Sequence, residues 1–208
     1  SDFQCFQTPH IPIYFGGASE AALNVGAESC DVYALWGEPR KEVKKKIADF
    51  RKRVKATGRD PRSVRFSIST RPIVAETESE AWDKAYHTLE SVLNSGQRSM
   101  HGTADERLES VGSQRLVDFA TKGDVLDDRL YMPIAAAAGG AGNTTALVGT
   151  AEQVVDSLMK YYKLGCTTLL IRGFDPYNDT LYWGKELIPL LKDEVNRYLK
   201  SNIVTAHA

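Results

Sequence analysis

The feature that most constrains this chain is a rhythm. Short apolar runs are each stopped by glycine or proline and followed by a segment of helical periodicity. Residues 11–15 (IPIYF) stop at Gly16-Gly17, and a helical pattern opens at Ser19. Residues 32–36 (VYALW) stop at Gly37-Glu38-Pro39, and from Arg40 the apolar side chains Val43, Ile47, Phe50 and Val54 recur at the spacing of a helix buried along one stripe. After a break at residues 58–61, residues 64–68 read as a third strand that residues 73–75 extend beyond Pro72. A T-x-x-E capping box at Thr77 and Glu80 then opens a helix carrying Trp82, Tyr86, Leu89 and Leu93 on one face.

From about residue 94 to 145 the rhythm fails, and the segment reads as a long insertion in which residues 105–111 and 113–119 can be helical. The pattern resumes at a second capping box, Thr150 to Gln153, opening a helix with Val154, Leu158 and Tyr161 inward and Gly165 at its end. Residues 167–171 form the last predicted strand, and a helical region over 179–199 is bent or restarted at Pro189. Strands that are apolar throughout rather than alternating, each followed by a helix, predict an α/β fold with a parallel sheet covered on both faces. No internal sequence repeat or Pro-rich linker marks a domain boundary, so residues 1–208 are read as one unit with the insertion inside it.

Composition removes several functions. The 26 Lys and Arg nearly cancel 27 Asp and Glu, for a net charge of -1, so no global field steers the chain onto nucleic acid or an anionic membrane. The basic run over 41–55 carries its cations outside an apolar stripe and reads as a solvated helix face. No run approaches the ~20 apolar residues of a membrane span. The three cysteines, Cys5, Cys30 and Cys166, form no C-x-x-C pair, and His10, His87, His101 and His207 show no metal spacing. No metal site is expected, and a reducing, cytoplasmic setting fits. The chain starts without Met and enters a hydrophobic run within a dozen residues, as a piece of a longer protein does.

In a parallel α/β sheet, ligands gather at the C-terminal strand ends. Those positions hold Gly16 to Ser19 after the first strand, Trp36, Gly37 and Glu38 after the second, Ser69 and Arg71 on the third, and Arg172 to Asp175 after the fourth. The Gly-Gly-Ala-Ser turn lets backbone approach a phosphate where helical N–H groups are unpaired, or it turns the chain while Ser19 caps the helix. Ser69 and Arg71, two residues apart, leave the same face of an extended strand, and Arg71 can present its planar fork to an anionic oxygen or pair with Glu76 or Asp175. Trp36 is a stacking surface or ordinary core. The tract AAAAGGAG is a hinge, a close approach to a ligand, or small-residue packing.

The stretches IPIYFGGASEAA, DVYALWGEP, RFSISTRPIVAETESEAW, SVGSQRL, GGAGNTTALVGTAEQVVDSL and LLIRGFDPY occur in this order over nearly the whole chain. Together they resemble the C-terminal half of the bacterial luciferase-like flavin monooxygenases, most closely the alkanesulfonate monooxygenases. The resemblance implies an eight-stranded (β/α)8 TIM barrel of which this chain supplies the last four units. It implies reduced FMN at the C-terminal rim, delivered by a separate flavin reductase, and O2 used to oxygenate a small molecule, an alkanesulfonate or other organosulfur compound. By it Gly17, Ala18 and Ser19 hold the cofactor phosphate, and Trp36 and Glu38 lie at the substrate or flavin rim, which Ser69 and Phe174 share. Arg71 is the candidate catalytic residue, and the loop with Gly139, Gly140 and Gly142 is a mobile lid. The chain departs from the alkanesulfonate pattern at Ser69 and Arg71, at Ala138 before Gly-Gly-Ala-Gly, and at Phe174, which leaves the sulfonate substrate open. Two alternatives stand beside this reading: a deazaflavin-dependent oxidoreductase of the same superfamily, and a non-catalytic half-barrel remnant or assembly module. Four strands leave two open edges, so the expected partners are an N-terminal half-barrel, a second chain, or another copy in a homo-oligomer.

Overall fold

A computed structural model of the chain describes residues 6–8, 10–95 and 110–205. Four parallel strands form its main arc: β1 (Tyr14–Phe15), β2 (Val32–Trp36), β3 (Arg65–Val74) and, after a long excursion, the strand Cys166–Ile171. Helices α1 (Glu20–Ser29), α2 (Arg40–Ala56) and α3 (Glu78–Asn94) follow the first three strands in turn. The excursion contributes α4 (Val111–Ala120), a small hairpin of β4 (Val125–Leu126) and β5 (Leu130–Tyr131), the short helix α5 (Pro133–Ala137), β6 (Ala146–Gly149) and α6 (Ala151–Leu164). The last arc strand is therefore β7, and it leads into α7 (Pro176–Tyr182), a π-helical turn Trp183–Leu187, and α8 (Ile188–Thr205).

The expected α/β class and parallel pairing are present: β1 pairs β2, β2 pairs β3 and β3 pairs β7, all parallel. The sheet also has a fork that the sequence did not announce. The first half of β3 lies between β2 and β7, and its second half, Arg71 to Val74, takes β6 as a new parallel neighbour. Pro72 is tolerated here for a geometric reason. Thr70 accepts from the Arg172 N–H at 3.2 Å on the β7 side, while Arg71 donates to Thr145 at 3.0 Å on the other side. Pro72 points the same way as Thr70, toward the side where β7 has already ended, so its missing N–H leaves no ladder bond unmade. Strand β3 accordingly runs unbroken through the proline.

Other expectations need correction. The first strand is two residues long rather than five, although Ile13 still accepts from the Asp31 and Val32 N–H groups at 3.0 and 3.1 Å. Residues 146–149, which the sequence reading assigns to no element between the insertion and the Thr150 capping box, are a fully buried strand whose four residues are too few to show a period. Helix α4 covers the expected 113–119 helix, while most of the other one, residues 105–109, lies outside the described residues. The last helical region starts at Pro176 and changes register at the π-helical turn just before Pro189, whose missing N–H falls in the first turn of α8.

Packing follows the apolar stripes. Tyr33, Leu35, Phe66 and Ile68 on the outer face of β2 and β3 meet Val43, Ile47, Phe50 and Val54 of α2 and Tyr161 of α6. A second cluster joins α4, the hairpin, α6 and the C-terminal helices, and a third packs α3 on β6 and Tyr131. On the opposite face, Ala34, Ser67 and Thr168 fall in one row across the arc. That row is thus small or hydroxylated, and the next one on the same face is Trp36, Ser69 and Leu170.

Candidate functional site

The first strand-to-helix turn is tightly built. A Cβ on Gly17 would stand 2.5 Å from the Ala22 Cβ, so only glycine lets the turn close onto α1. The Gly17 carbonyl accepts the Tyr33 hydroxyl, and Ser19 Oγ accepts the Ala22 N–H at 3.3 Å. Ser19 is therefore the N-cap of α1, and its side chain takes one of the first N–H groups of that helix. Beside the turn lies a cleft of about 500 Å³ lined by Gly17, Ala18, Leu23 and Trp36, by the cations Lys46, Arg53 and Arg115, and by the acids Glu20 and Asp49, with Arg53 paired to Glu20 at 2.9 and 3.1 Å. Trp36 is half-buried: it lines the cleft, and a Cβ on Gly112 would come within 2.8 Å of its ring.

Glu38, expected at the rim, is instead a buried clamp, 1% exposed. Its Oε1 accepts from Arg115 Nε and Nη2 at 2.9 and 2.6 Å, its Oε2 accepts from Lys46 Nζ, and its carbonyl accepts the Tyr161 hydroxyl at 2.7 Å. The carboxylate thereby joins α2 to α4, and the backbone carbonyl of the same residue ties in α6. Burial pulls the Lys46 ammonium down to about 8 against the opposing pull of Glu38, and burial pushes the Tyr33 phenol up to about 12. Sequence reading missed Lys46, which sits in a run that is otherwise solvated, and Arg115, whose partner is 77 residues away.

A second group lies at the fork. Asn143 is 2% exposed and left-handed, with φ of 51°. Its Nδ2 donates to the Ser69 carbonyl at 2.7 Å, and its Oδ1 accepts from the Gly37 N–H at 3.2 Å and the Thr145 hydroxyl at 3.4 Å. It fills the notch where β2 ends and β6 begins. Arg71 donates from Nε to the Asn143 carbonyl at 3.3 Å and from Nη1 to the Gly173 carbonyl at 2.7 Å, with its guanidinium 4.9 Å from the Phe174 ring centre. It makes no ion pair with Glu76 or Asp175. Arg172 donates from Nη2 to the Gly142 carbonyl.

The glycine loop makes close contacts at Gly140, Gly142 and Asn143 but not at Gly139. Gly139, Gly140, Gly142 and Asn143 are all left-handed. A Cβ on Gly140 would lie 2.5 Å from the Ser113 carbonyl oxygen on α4, while Gly139 has open space beside it.

Cys30 and Cys166 are buried, and burial pushes the Cys166 thiol up to about 12, so neither offers a thiolate at neutral pH. Among the described residues no group of three or more His, Cys, Asp or Glu side chains is placed to hold a metal, and no helix is long and apolar enough to cross a membrane. His101, His207 and Cys5 lie outside the described residues.

An arc of parallel strands, helices on one face and loops gathered at the C-terminal strand ends define the class: part of a (β/α)8 barrel. Within that class the chain belongs to the luciferase-like monooxygenase family, whose sequence profile matches residues 1–168. The fold is shared with DmoA from Hyphomicrobium sulfonivorans (TM-score 0.65, 15% identity, 87% of this chain and 41% of that one). It is shared likewise with the EDTA monooxygenase EmoA from Chelativorans sp. BNC1 (TM-score 0.61, 16% identity, 87% and 44%). A third similar structure is the riboflavin lyase RcaE with modified FMN and riboflavin (TM-score 0.60, 16% identity, 87% and 42%). The chain thus spans less than half the length of each of these proteins.

Proposed function

We propose that this chain is the C-terminal half of a flavin-dependent monooxygenase barrel that uses reduced FMN, supplied by a separate reductase, to oxygenate a small organic substrate. The observation that carries the reading is the cleft at the first strand end. A turn that only glycine closes, the start of α1 and the cations Lys46 and Arg115 border about 500 Å³ there, with Leu23 and Trp36 as apolar walls and with Glu20, paired to Arg53, and Asp49 on the same lining. That donor set suits a phosphate on an aromatic ring system. Reduced FMN, when bound, supplies the electrons that activate O2. Gly17, Ala18 and the capped start of α1 hold the phosphate, Lys46 and Arg115 supply positive potential while remaining anchored on Glu38, and Trp36 excludes water from the ring. Ser69, Arg71 and Phe174 lie on the substrate side, Arg71 facing an anionic substrate group, with the loop of Gly139, Gly140 and Gly142 as the cover. The complementary half of the barrel, on a longer chain or a second polypeptide, completes the rim along the open edges of β1 and β7. A sulfur-containing substrate fits this reading without being required by it.

Flavin titration followed by fluorescence tests the cofactor. Ser19→Asp keeps a good helix cap but sets a negative charge against the phosphate. FMN affinity is expected to fall about tenfold in Ser19→Asp, riboflavin affinity to change little, and the unfolding midpoint to stay within ~1 kcal/mol of the parent. Equal FMN binding by both proteins removes the phosphate site from this turn. Failure of the parent to bind FMN favours the non-catalytic assembly module, and preference for a deazaflavin over FMN in the same titration favours the hydride-transfer alternative.

A further inference from the structure

Arg71 and Arg172 sit on neighbouring strand ends, β3 and just past β7, and both direct donors at consecutive carbonyls of the glycine loop, Arg172 at Gly142 and Arg71 at Asn143. Carbonyl contacts satisfy N–H groups without neutralising charge. Among the described residues neither guanidinium forms an ion pair with a carboxylate, in contrast to Arg40, Arg53, Arg115 and Arg129, each of which does. The two acids of the adjoining turn are engaged elsewhere. Asp175 accepts from Asn178, and Asp179 accepts from the Asp175 N–H at 3.0 Å. Arg71 is half-buried, and burial followed by the like charge of Arg172 pulls its pKa below the usual arginine value. One face of Arg71 is covered by Phe174, and its Nη2 group makes no hydrogen bond among the described residues. Two adjacent cations, one half-buried and one exposed, with no carboxylate partner among the described residues are the arrangement an oxyanion completes.

We infer that Arg71 and Arg172 together form an oxyanion-binding subsite beneath the glycine loop, taking a sulfonate, carboxylate or phosphate group. On the proposed monooxygenase reading this group belongs to the substrate, and the subsite selects substrates with an anionic head. Arg172 is the specificity-determining member, because it is exposed and anchors only the loop.

The subsite is tested without flavin. The full chain is titrated calorimetrically with 1-octanesulfonate, octanoate and 1-octanol, for the parent, Arg172→Gln, Arg172→Lys and Arg71→Lys. The expected result is that both anions bind and the alcohol does not. Arg172→Gln weakens the anions about tenfold, Arg172→Lys restores most of the loss, and anion affinity falls as salt is raised. Arg71→Lys keeps the charge but loses the fork, and weakens sulfonate binding while circular dichroism stays unchanged. Equal anion affinity in parent and Arg172→Gln, or octanol binding as tightly as octanesulfonate, overturns the subsite. Parallel titrations with FMN and riboflavin assign the anion's source. A loss in Arg172→Gln confined to FMN makes it the cofactor phosphate, and no loss with either flavin leaves it to the substrate. Arg172-dependent sulfonate binding by a chain that binds no FMN keeps the subsite and removes the flavin reading.

Discussion

Asn143 shows how much of this site rests on single side chains far apart in sequence. Its amide serves the Gly37 N–H, 106 residues away, and the Ser69 carbonyl, 74 residues away, in a left-handed conformation that asparagine tolerates better than most residues. Asn143→Ala leaves that buried N–H and C=O without partners at a strained φ and is expected to cost about 2–4 kcal/mol in urea unfolding. Asn143→Gly loses the same bonds but relieves the φ and is expected to be milder by about 1 kcal/mol. Equal losses would mean that the backbone there carries no strain. Lys46 gives a pH signature at the same scale. Its folded-state value of about 8 lies below the usual 10.5, so between those values the unfolded chain holds a proton that the folded chain has released. Its contribution to stability therefore rises with pH through that window, and the penalty is complete below 8. Cys30 and Cys166, pushed up by burial, act oppositely above 9. The difference between the parent and Lys46→Met removes those thiols from the comparison, and it is expected to shift in the parent's favour by roughly 1–2 kcal/mol from pH 8 to 10. Of these residues Gly37 and Ser69 were placed at strand ends beforehand, because the end of an apolar run is a local signal. Asn143, Lys46 and Arg115 acquire their partners only when the chain folds.

At the scale of elements, legibility followed length. Helices α2, α3 and α6 carry stripes of several turns and capping residues, and each stands where its pattern put it. Strands of two to four residues, β1, β4, β5 and β6, hold too few side chains for a period to appear, so the fork of β3 stayed hidden. The glycine loop was recognisable by composition, but composition did not tell which glycine is fastened. Gly140 presses on the backbone of α4, whereas Gly139 faces open space. Both are left-handed, so an alanine at either position is strained. Gly139→Ala is expected to cost about 1 kcal/mol, and Gly140→Ala about 2–4 kcal/mol, because Ser113 and the start of α4 must also move away. Thermal unfolding of the two variants reads the difference directly. If Gly140→Ala is as mild as Gly139→Ala, α4 is not seated on the loop, and the loop is free to open at both glycines.

For the whole molecule the governing fact is an arc that stops. Among the described residues β1 pairs only with β2, and β7 pairs only with β3, so each presents an outer row of unpaired N–H and C=O groups. The side chains near those edges are apolar and wet: Tyr14 is 55% exposed and Leu170 49%, with Ile11 and Ile13 beside the first. Parallel edges of this kind are templates for another strand, and proteins that leave them open usually blunt them with charge or proline. Neither device is present on Tyr14–Phe15 or on Cys166–Ile171. The strand-and-helix rhythm made four units legible, but closure is a property of eight, and no local pattern states where the others reside. The chain alone is therefore expected to self-associate at micromolar concentration, sedimenting above its 23.0 kDa. Leu170→Lys puts a charge on the β7 edge without touching the helix-packed face, so it should return the chain to monomer with unchanged circular dichroism. A parent that remains monomeric across the concentration range would show that the edges are already covered. A Leu170→Lys variant that associates as strongly as the parent would move the contact to a different surface and leave the β7 edge out of it.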